Sequence, residues 1–235
     1  VNDSNSDFYR IDNQLCKIIE DTKKIISERG ISIEDKVVMN GYSSSGVFAQ
    51  RFAFLHPEVI DTVIVGGAGG SIPMPKDCFG SDKLEYPLGT KDYEQLTGKD
   101  FDLENYKKIN FQYYLAEFEE YNKSNSRKNE FGFKAPMHDM SYMDKSVPAG
   151  TGKNLRKIFG INLWNRFVRQ LAEYEKNGYK IKSEVYKNKV HTNGLISPDD
   201  FENIYKGKEF QKSSKDIKNF FSKNKILDTV QIAIN

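Results

Sequence analysis

The hydrophobic pattern of the chain centres on one strand–turn–helix unit. Residues 37–39 form an apolar, β-branched run, VVM, which is typical of a buried strand. Apolar residues recur at helical spacing over residues 47–55, which predicts a helix. Between the two lies the serine- and glycine-rich stretch GYSSSG at residues 41–46. The pattern therefore predicts a strand, a tight turn and a helix in immediate succession.

Further elements on either side of this unit define a fold class. An amphipathic helix is predicted over residues 12–29, and a second buried strand over residues 60–65. The order helix, strand, turn, helix, strand implies a parallel sheet with right-handed crossovers. The predicted class is α/β, with a mostly parallel sheet flanked by helices.

The second half of the chain extends this pattern. Strands are predicted at residues 111–115 and 182–186, with one or two helices between them over residues 154–178. Two irregular segments, at about residues 71–103 and 120–150, are predicted to be insertions or caps, because long loops in a compact domain are usually functional. We expect residues 1–235 to form one domain.

Composition excludes some functional classes and leaves the compartment open. The 235 residues carry a net charge of +2 with lysines interleaved among acids, so no nucleic-acid partner is predicted. No apolar run approaches the roughly 20 residues of a membrane span. Cys16 and Cys78 give no sign of pairing, and no signal peptide is visible. Both a cytoplasmic protein and a secreted, bacterial-type protein with its leader removed fit these observations.

The turn at residues 41–46 resembles a nucleophile elbow. In the pattern G-x-S-x-G the serine sits on a strained turn between strand and helix, with its hydroxyl exposed. Gly41 and Ser43 fit the pattern, whereas Ser45 replaces the second glycine and Gly46 follows it. Ser43 is therefore the predicted nucleophile. The alternative is an ordinary Ser/Gly-rich turn between a strand and a helix.

A serine nucleophile needs a histidine base, and three histidines are available. His56 lies at a helix end and is interpreted as a capping or packing residue, and His138 lies in an irregular segment. His191 follows the last predicted strand, late in the chain, where an elbow-type hydrolase carries its base. His191 is the predicted general base.

The orienting acid is predicted just beyond the strand at residues 111–115. Glu119 is the first choice, and Glu117 and Asp139 are the alternatives, with Asp144 a more distant one. The backbone N–H of Ser44 is the predicted oxyanion donor, because it belongs to the residue after the nucleophile. A second donor normally follows an earlier strand, and none is predicted before the elbow.

Two glycine-rich stretches resemble cofactor loops but lack their spacing. Residues 148–154 lack the first glycine of a phosphate loop and carry Asn154 in place of its Ser or Thr. Residues 66–70 follow a strand but do not show G-x-G-x-x-G spacing. The three histidines show no metal-ligand spacing. No cofactor and no metal are predicted.

Together these motifs resemble the α/β-hydrolase superfamily, and within it the bacterial esterases related to polyhydroxybutyrate depolymerases and feruloyl-type esterases. The resemblance rests on residues 9–15, on the elbow with Arg51-Phe52 and residues 55–58, and on residues 186–191. It implies Ser43 as nucleophile, His191 as base and Glu119 as acid. It also implies that this chain corresponds to the C-terminal, larger part of the fold.

The predicted activity is that of a serine carboxyl-ester hydrolase acting on a small-molecule or polymeric ester through an acyl-enzyme. A peptidase or thioesterase with the same triad is one alternative, and a non-catalytic hydrolase-like binding protein is another. The resemblance also implies that the first strands of such a fold lie outside this chain, and hence a complementary N-terminal fragment, a longer precursor or a homo-oligomer as partner.

Overall fold

The structure is a computed structural model and describes residues 9–118, 150–160 and 163–190. The described helices are α1 Ile11–Glu28, α2 Ser44–Leu55, α3 Tyr93–Thr97, α4 Leu103–Lys108, α5 Thr151–Phe159 and α6 Leu163–Lys176. The described strands are β1 Val37–Tyr42, β2 Ile60–Gly66, β3 Cys78–Phe79, β4 Asp82–Lys83, β5 Asn110–Phe118 and β6 Ile181–Val190.

Four of these strands form a parallel sheet in the order β1-β2-β5-β6. Strand β2 is buried along its length except at Asp61, as expected for an Ile/Val-rich strand covered on both faces. In register, Gly41 of β1 faces Val65 of β2, and Val65 faces Tyr113 of β5. The prediction of an α/β fold with a parallel sheet flanked by helices is confirmed.

The main core lies between one face of this sheet and the helices. Phe52, Ala53 and Phe54 of α2 are almost completely buried there. Burying a side chain such as Phe stabilises the fold by about 1.5–3 kcal/mol, so the C-terminal half of α2 is anchored in the core. The single predicted stretch over residues 154–178 is two helices, α5 and α6, which also pack on this face.

Residues 71–103, predicted to be irregular, contain a short β-hairpin and helix α3. Leu84, Leu88 and Tyr93 of this segment are buried in the core. Lys76 forms a 2.7 Å salt bridge with Glu173 of α6. The segment is therefore attached to α6 and to the core. The other predicted insertion, at residues 120–150, lies outside the described residues apart from Gly150.

Strand β1 is an edge of the described sheet. It pairs with β2 on one side, and no described strand pairs with its other side. Val38 on this strand is 37% exposed. An unpaired strand edge is a template for pairing with further polypeptide.

None of the helices in the described ranges is both long and apolar enough to cross a membrane.

Candidate active site

Ser43 lies at the junction of β1 and α2 in a strained backbone conformation. Its φ is 56° and its ψ is −122°, which non-glycine residues rarely adopt. Such a conformation costs about 1–3 kcal/mol and persists only where its surroundings fix it. Here the Ser43 N–H donates to Gly66 O at 2.9 Å, and the Val47 N–H donates to Ser43 O at 3.0 Å. The strand–turn–helix context predicted for the elbow is therefore present.

Two glycines let the strand and helix meet closely at this turn. A β-carbon on Gly41 would lie 2.3 Å from the backbone oxygen of Ser45, which no side-chain movement could relieve. A β-carbon on Gly46 would lie 3.0 Å from Gly41 O and 3.1 Å from Gly66 O. Gly46 thus supplies the close approach, one residue later than the pattern G-x-S-x-G expects.

The serine that replaces the second glycine of the pattern closes the turn. Ser45 Oγ accepts a hydrogen bond from the Tyr42 N–H at 2.9 Å and donates one to Tyr42 O at 2.7 Å. Its side chain points back across the turn and is compatible with the strained Ser43. The sequence pattern did not predict that the Ser45 side chain would bridge the turn through these two hydrogen bonds.

Ser44, the predicted oxyanion donor, is the first residue of α2 and is exposed. The first N–H groups of a helix have no acceptor within the helix, and the helix dipole favours negative charge at this end. A carbonyl oxygen bound beside Ser43 could therefore develop negative charge next to these donors.

The predicted base and acids fall mostly outside the described residues. Glu119, Asp139 and His191 all do, so their side chains cannot be placed against Ser43. Strand β5 is described as far as Phe118 and β6 as far as Val190, and Glu119 and His191 are the next residues in the sequence. Strands β1, β5 and β6 are parallel, so their carboxyl ends lie at the same edge of the sheet.

The alternative acid Glu117 lies inside a strand. Strand β5 continues to Phe118, three residues beyond the predicted strand end, so Glu117 lies within the strand, at an irregularity in the pairing with β6 between Ala116 and Phe118. Asp144 and His138, the more distant acid and the third histidine, lie outside the described residues.

His56 is not the base for Ser43, because the two residues flank opposite ends of α2. The helix has 12 residues and is therefore about 18 Å long. His56 is buried, and its Nε2 lies 2.9 Å from Asp12 Oδ2 while its Nδ1 lies 3.5 Å from Glu58 Oε1. The interpretation of His56 as a packing residue agrees with this position, but the sequence gave no sign of its two acidic partners.

The charges around His56 shift one another's pKa. Burial alone lowers the pKa of His56, but its hydrogen bonds to Asp12 and Glu58 outweigh burial and raise it above the ordinary value. Burial alone raises the pKa of Asp12, but hydrogen bonds from His56 and Arg10 hold it well below its usual range. Arg10 Nη2 lies 2.7 Å from Asp12 Oδ2. The network joins the start of α1 to the end of α2.

The loop that follows β2 is held against α2 and α6 by three buried side chains. Gln50 Nε2 of α2 donates to Ser71 O at 2.9 Å. Gln170 of α6 donates to Ile72 O at 2.8 Å and accepts from the Ile72 N–H at 3.1 Å. Arg166 Nε donates to Gly70 O at 2.8 Å. Residues 70–72 are therefore fixed against α2 and α6 by polar groups that the sequence analysis did not single out.

The fold and the strained serine define an α/β protein with a serine on a tight turn between a parallel strand and a helix. No known family model matches the chain, and no curated protein matches it. Among solved structures, it is similar to poly(aspartic acid) hydrolase-1 from Sphingomonas sp. KT-1, with a TM-score of 0.44 and 16% sequence identity. The match covers 75% of this chain and 56% of that chain. A likeness at this level assigns neither a family nor an activity to this protein.

Proposed function

We propose that the protein is a serine hydrolase of carboxyl esters with Ser43 as its nucleophile. The observation that carries the proposal is the backbone of Ser43, with φ 56° and ψ −122°, between a parallel strand and the helix that follows it. This is the conformation that exposes a serine hydroxyl at the carboxyl edge of a sheet and turns the next N–H toward the same space.

In the proposed reaction, His191 removes the proton of Ser43 Oγ while that oxygen attacks the ester carbonyl. Glu119 orients His191, with Asp139 and Glu117 as alternatives for this role. The tetrahedral oxyanion accepts a hydrogen bond from the Ser44 N–H. His191 then protonates the leaving alcohol, and water activated by the same histidine releases the acid from the acyl-enzyme. The assignment is supported by the parallel direction of β1, β5 and β6, because Glu119 and His191 follow in sequence the last described residues of β5 and β6, at the sheet edge that carries Ser43.

A peptidase or thioesterase is the closest alternative, because thioesters and peptides pass through the same kind of tetrahedral intermediate. The elbow geometry does not discriminate among alcohol, thiol and amine leaving groups. A panel of ester, thioester and peptide substrates separates them by relative kcat/KM. A non-catalytic binding protein would turn over none of these substrates.

We also propose that the open side of β1 pairs with further polypeptide, either a complementary segment with strands of its own or a second copy of this chain. The unpaired side of β1 among the described strands supports this proposal. Such a segment would also be a source for the second oxyanion donor, which the elbow does not supply.

The decisive experiment is labelling of the purified protein with a fluorophosphonate probe. We expect the wild type to be labelled, and Ser43→Ala and His191→Ala to lose the label. Ser44→Ala is the matched control, because it removes a neighbouring exposed hydroxyl and keeps the backbone N–H. Equal labelling of Ser43→Ala and wild type would reject Ser43, and no labelling of a folded wild type would favour the binding-protein alternative.

A further inference from the structure

Helix α1 carries more apolar surface than the rest of the described chain covers. Asp12 is the only buried residue among the 18 residues of this helix. Ile18 and Ile25 are 60% and 51% exposed. Residues seven apart lie on the same side of a helix, so the two isoleucines form one exposed row. Single exposed apolar residues are ordinary, but an aligned pair on one helix indicates a contact surface.

The two isoleucines belong to a longer row with the heptad spacing of helices that pack against other helices. Its members follow one another in steps of four and three residues, and they are Ile11, Leu15, Ile18, Thr22 and Ile25. This is the spacing of the a and d positions of a heptad, with Leu15 and Thr22 at a. We term this row the outer seam. Its first two members are partly buried, whereas Ile18, Thr22 and Ile25 are exposed.

A different row of α1 attaches the helix to the rest of the protein. Asp12 Oδ2 lies 2.9 Å from Nε2 of His56, at the end of α2. Cys16 and Ile19 pack against the main core. Each residue of a helix is rotated by about 100° from the one before it, so Ile19 and Ile18 point in different directions. The contacts that hold α1 in place therefore leave the exposed part of the outer seam uncovered.

Acidic side chains border the outer seam on the side away from Ile19. Asp21 and Glu28 occupy the g positions of the heptad. Asp21 lies 3.0 Å from Lys17, and both of these side chains are more than half exposed. Glu28 is exposed and has no ion pair within the described ranges. Charge complementarity therefore favours a partner with Lys or Arg beside its apolar residues.

The same charges disfavour a second copy of this chain as the partner. In an antiparallel pair of helices the g positions face each other, so Asp21 and Glu28 would meet the same acids of the second copy. In a parallel pair the g positions face the e positions. Here the e positions include Asp12 and Ile19, which His56 and the core already cover. Neither arrangement suits two copies of α1.

We propose that the outer seam of α1 is a docking surface for an amphipathic helix of a different polypeptide. That helix carries apolar residues at its own a and d positions and Lys or Arg beside them. Burial of Ile18 and Ile25 supplies affinity, and basic residues opposite Asp21 and Glu28 set the orientation. The proposal goes beyond the serine hydrolase function and the strand pairing at β1, and it depends on neither.

Binding is tested on the full chain with two synthetic peptides of about three heptads. Both carry Leu at a and d, and they differ in having Lys or Glu at every e and g position. Like charges at these positions keep each peptide from pairing with itself. By fluorescence anisotropy we expect saturable binding of the Lys peptide and at least about tenfold weaker binding of the Glu peptide. The methyl NMR signals of Ile18 and Ile25 should shift, and that of the buried Ile60 should not.

Two double variants test the two parts of the surface. Ile18→Glu with Ile25→Glu should weaken binding of the Lys peptide at least about tenfold, because the apolar anchors are lost. Asp21→Lys with Glu28→Lys should reverse the preference, so that the Glu peptide binds more tightly. Leu103→Glu is the control, because Leu103 is 40% exposed but lies on α4. Circular dichroism checks that each variant is folded.

The possible results separate this proposal from the others. Equal binding of the two peptides, no saturable binding, or unchanged binding in Ile18→Glu with Ile25→Glu would overturn it. A dimer of the protein alone that this double variant dissociates would assign the outer seam to a second copy and overturn the choice of partner. Peptide binding by a wild type that fluorophosphonate does not label would retain the docking surface and count against the hydrolase function.

Discussion

The ring of Tyr114 lies directly over Gly66. A β-carbon built on Gly66 would be 1.8 Å from Cζ and 2.1 Å from the hydroxyl oxygen of Tyr114. Gly66 O also accepts the hydrogen bond from the Ser43 N–H. The absence of a side chain at Gly66 therefore allows Tyr114 to cross β2 next to the strained serine.

Gly66→Ala should damage the elbow through this contact. We expect a loss of about 1–3 kcal/mol of unfolding free energy, as for other overpacked sites, together with loss of fluorophosphonate labelling. Urea unfolding and labelling measure the two effects. Gly80→Ala is the control, because its φ of +60° is strained but no atom lies within 4 Å of the new β-carbon. Normal labelling of Gly66→Ala would show that the elbow does not depend on this contact.

Ser45→Gly should keep labelling while lowering stability. The change restores the glycine of the G-x-S-x-G pattern but removes both hydrogen bonds between Ser45 Oγ and Tyr42. We expect a loss of about 1 kcal/mol on thermal or urea unfolding, with labelling within about twofold of wild type. The described hydrogen bonds include none from the Ser44 side chain, so Ser44→Ala should leave stability nearly unchanged. A tenfold loss of labelling in Ser45→Gly would assign Ser45 a direct part in reactivity.

The ion pairs of His56 with Asp12 and Glu58 should give an unfolding free energy that passes through a maximum and falls at both lower and higher pH. The raised pKa of His56 contributes stability that is complete below about pH 6.5 and is lost as the pH rises through the folded-state pKa. The lowered pKa values of Asp12 and of Glu58, the latter to about 2, contribute stability that is present above about pH 4.5 and lost in acid. Unfolding free energy should therefore be highest between about pH 4.5 and 6.5.

Asp12→Asn should remove the main anionic partner of His56. Breaking a buried ion pair on one side costs about 3 kcal/mol, and the decline of stability above pH 6.5 should become shallower. Chemical unfolding at pH 5.5 and pH 8 measures both effects. Asp21→Asn is the control, because its pair with Lys17 is exposed to solvent and such pairs contribute little to stability. An unchanged pH profile in Asp12→Asn would contradict the coupling.

The orienting acid can be identified by comparing Glu119→Gln, Asp139→Asn and Glu117→Gln. We expect Glu119→Gln to reduce kcat by about 10³- to 10⁴-fold, because the imidazole loses its correct tautomer and orientation. The other two variants should stay within about tenfold of wild type. Circular dichroism checks that each variant is folded. A large loss in Asp139→Asn or Glu117→Gln alone would transfer the role to that residue.

One side of β1 pairs with no strand in the described part of the chain, and this predicts association in solution. We expect native mass spectrometry and light scattering to detect a species larger than a single chain, or a monomer that gains stability when a complementary segment is added. Val38→Lys places a charge on the exposed edge strand and should weaken the association. A stable lone monomer in both wild type and Val38→Lys would contradict this prediction.

Local pattern was sufficient for the elements that carry the elbow. The strand over residues 37–39 and the helix over residues 47–55 were predicted because their apolar residues follow the periods of a strand and a helix. Ser43 was predicted because the turn between them has the spacing of a known motif. Its positive φ fits that motif, although no propensity scale would place a serine there.

Contacts between distant parts of the chain were not predictable in the same way. Asp12 and His56 are 44 residues apart, and each occurs in a segment that would be read as an ordinary helix end. Only the packed structure shows that Gln50 and Tyr113 are buried, and that Gln50 Oε1 and the Tyr113 hydroxyl have no hydrogen-bond partner among the described residues. Burial and hydrogen bonding of this kind depend on the assembled fold rather than on any single window of sequence.

The hydrogen bonds between α6 and the loop after β2 join parts of the chain that are synthesised at different times. Gln170 binds Ile72 across 98 residues of intervening chain, and Arg166 binds Gly70 across 96. During synthesis the elbow and the loop leave the ribosome long before α6 does. The hydrogen bonds of residues 70–72 to α6 are therefore formed late. Contacts of such long sequence separation slow folding. The partners of Ser43 within residues 41–66 are therefore made early, whereas the loop at residues 70–72 gains its partners only when α6 has been made.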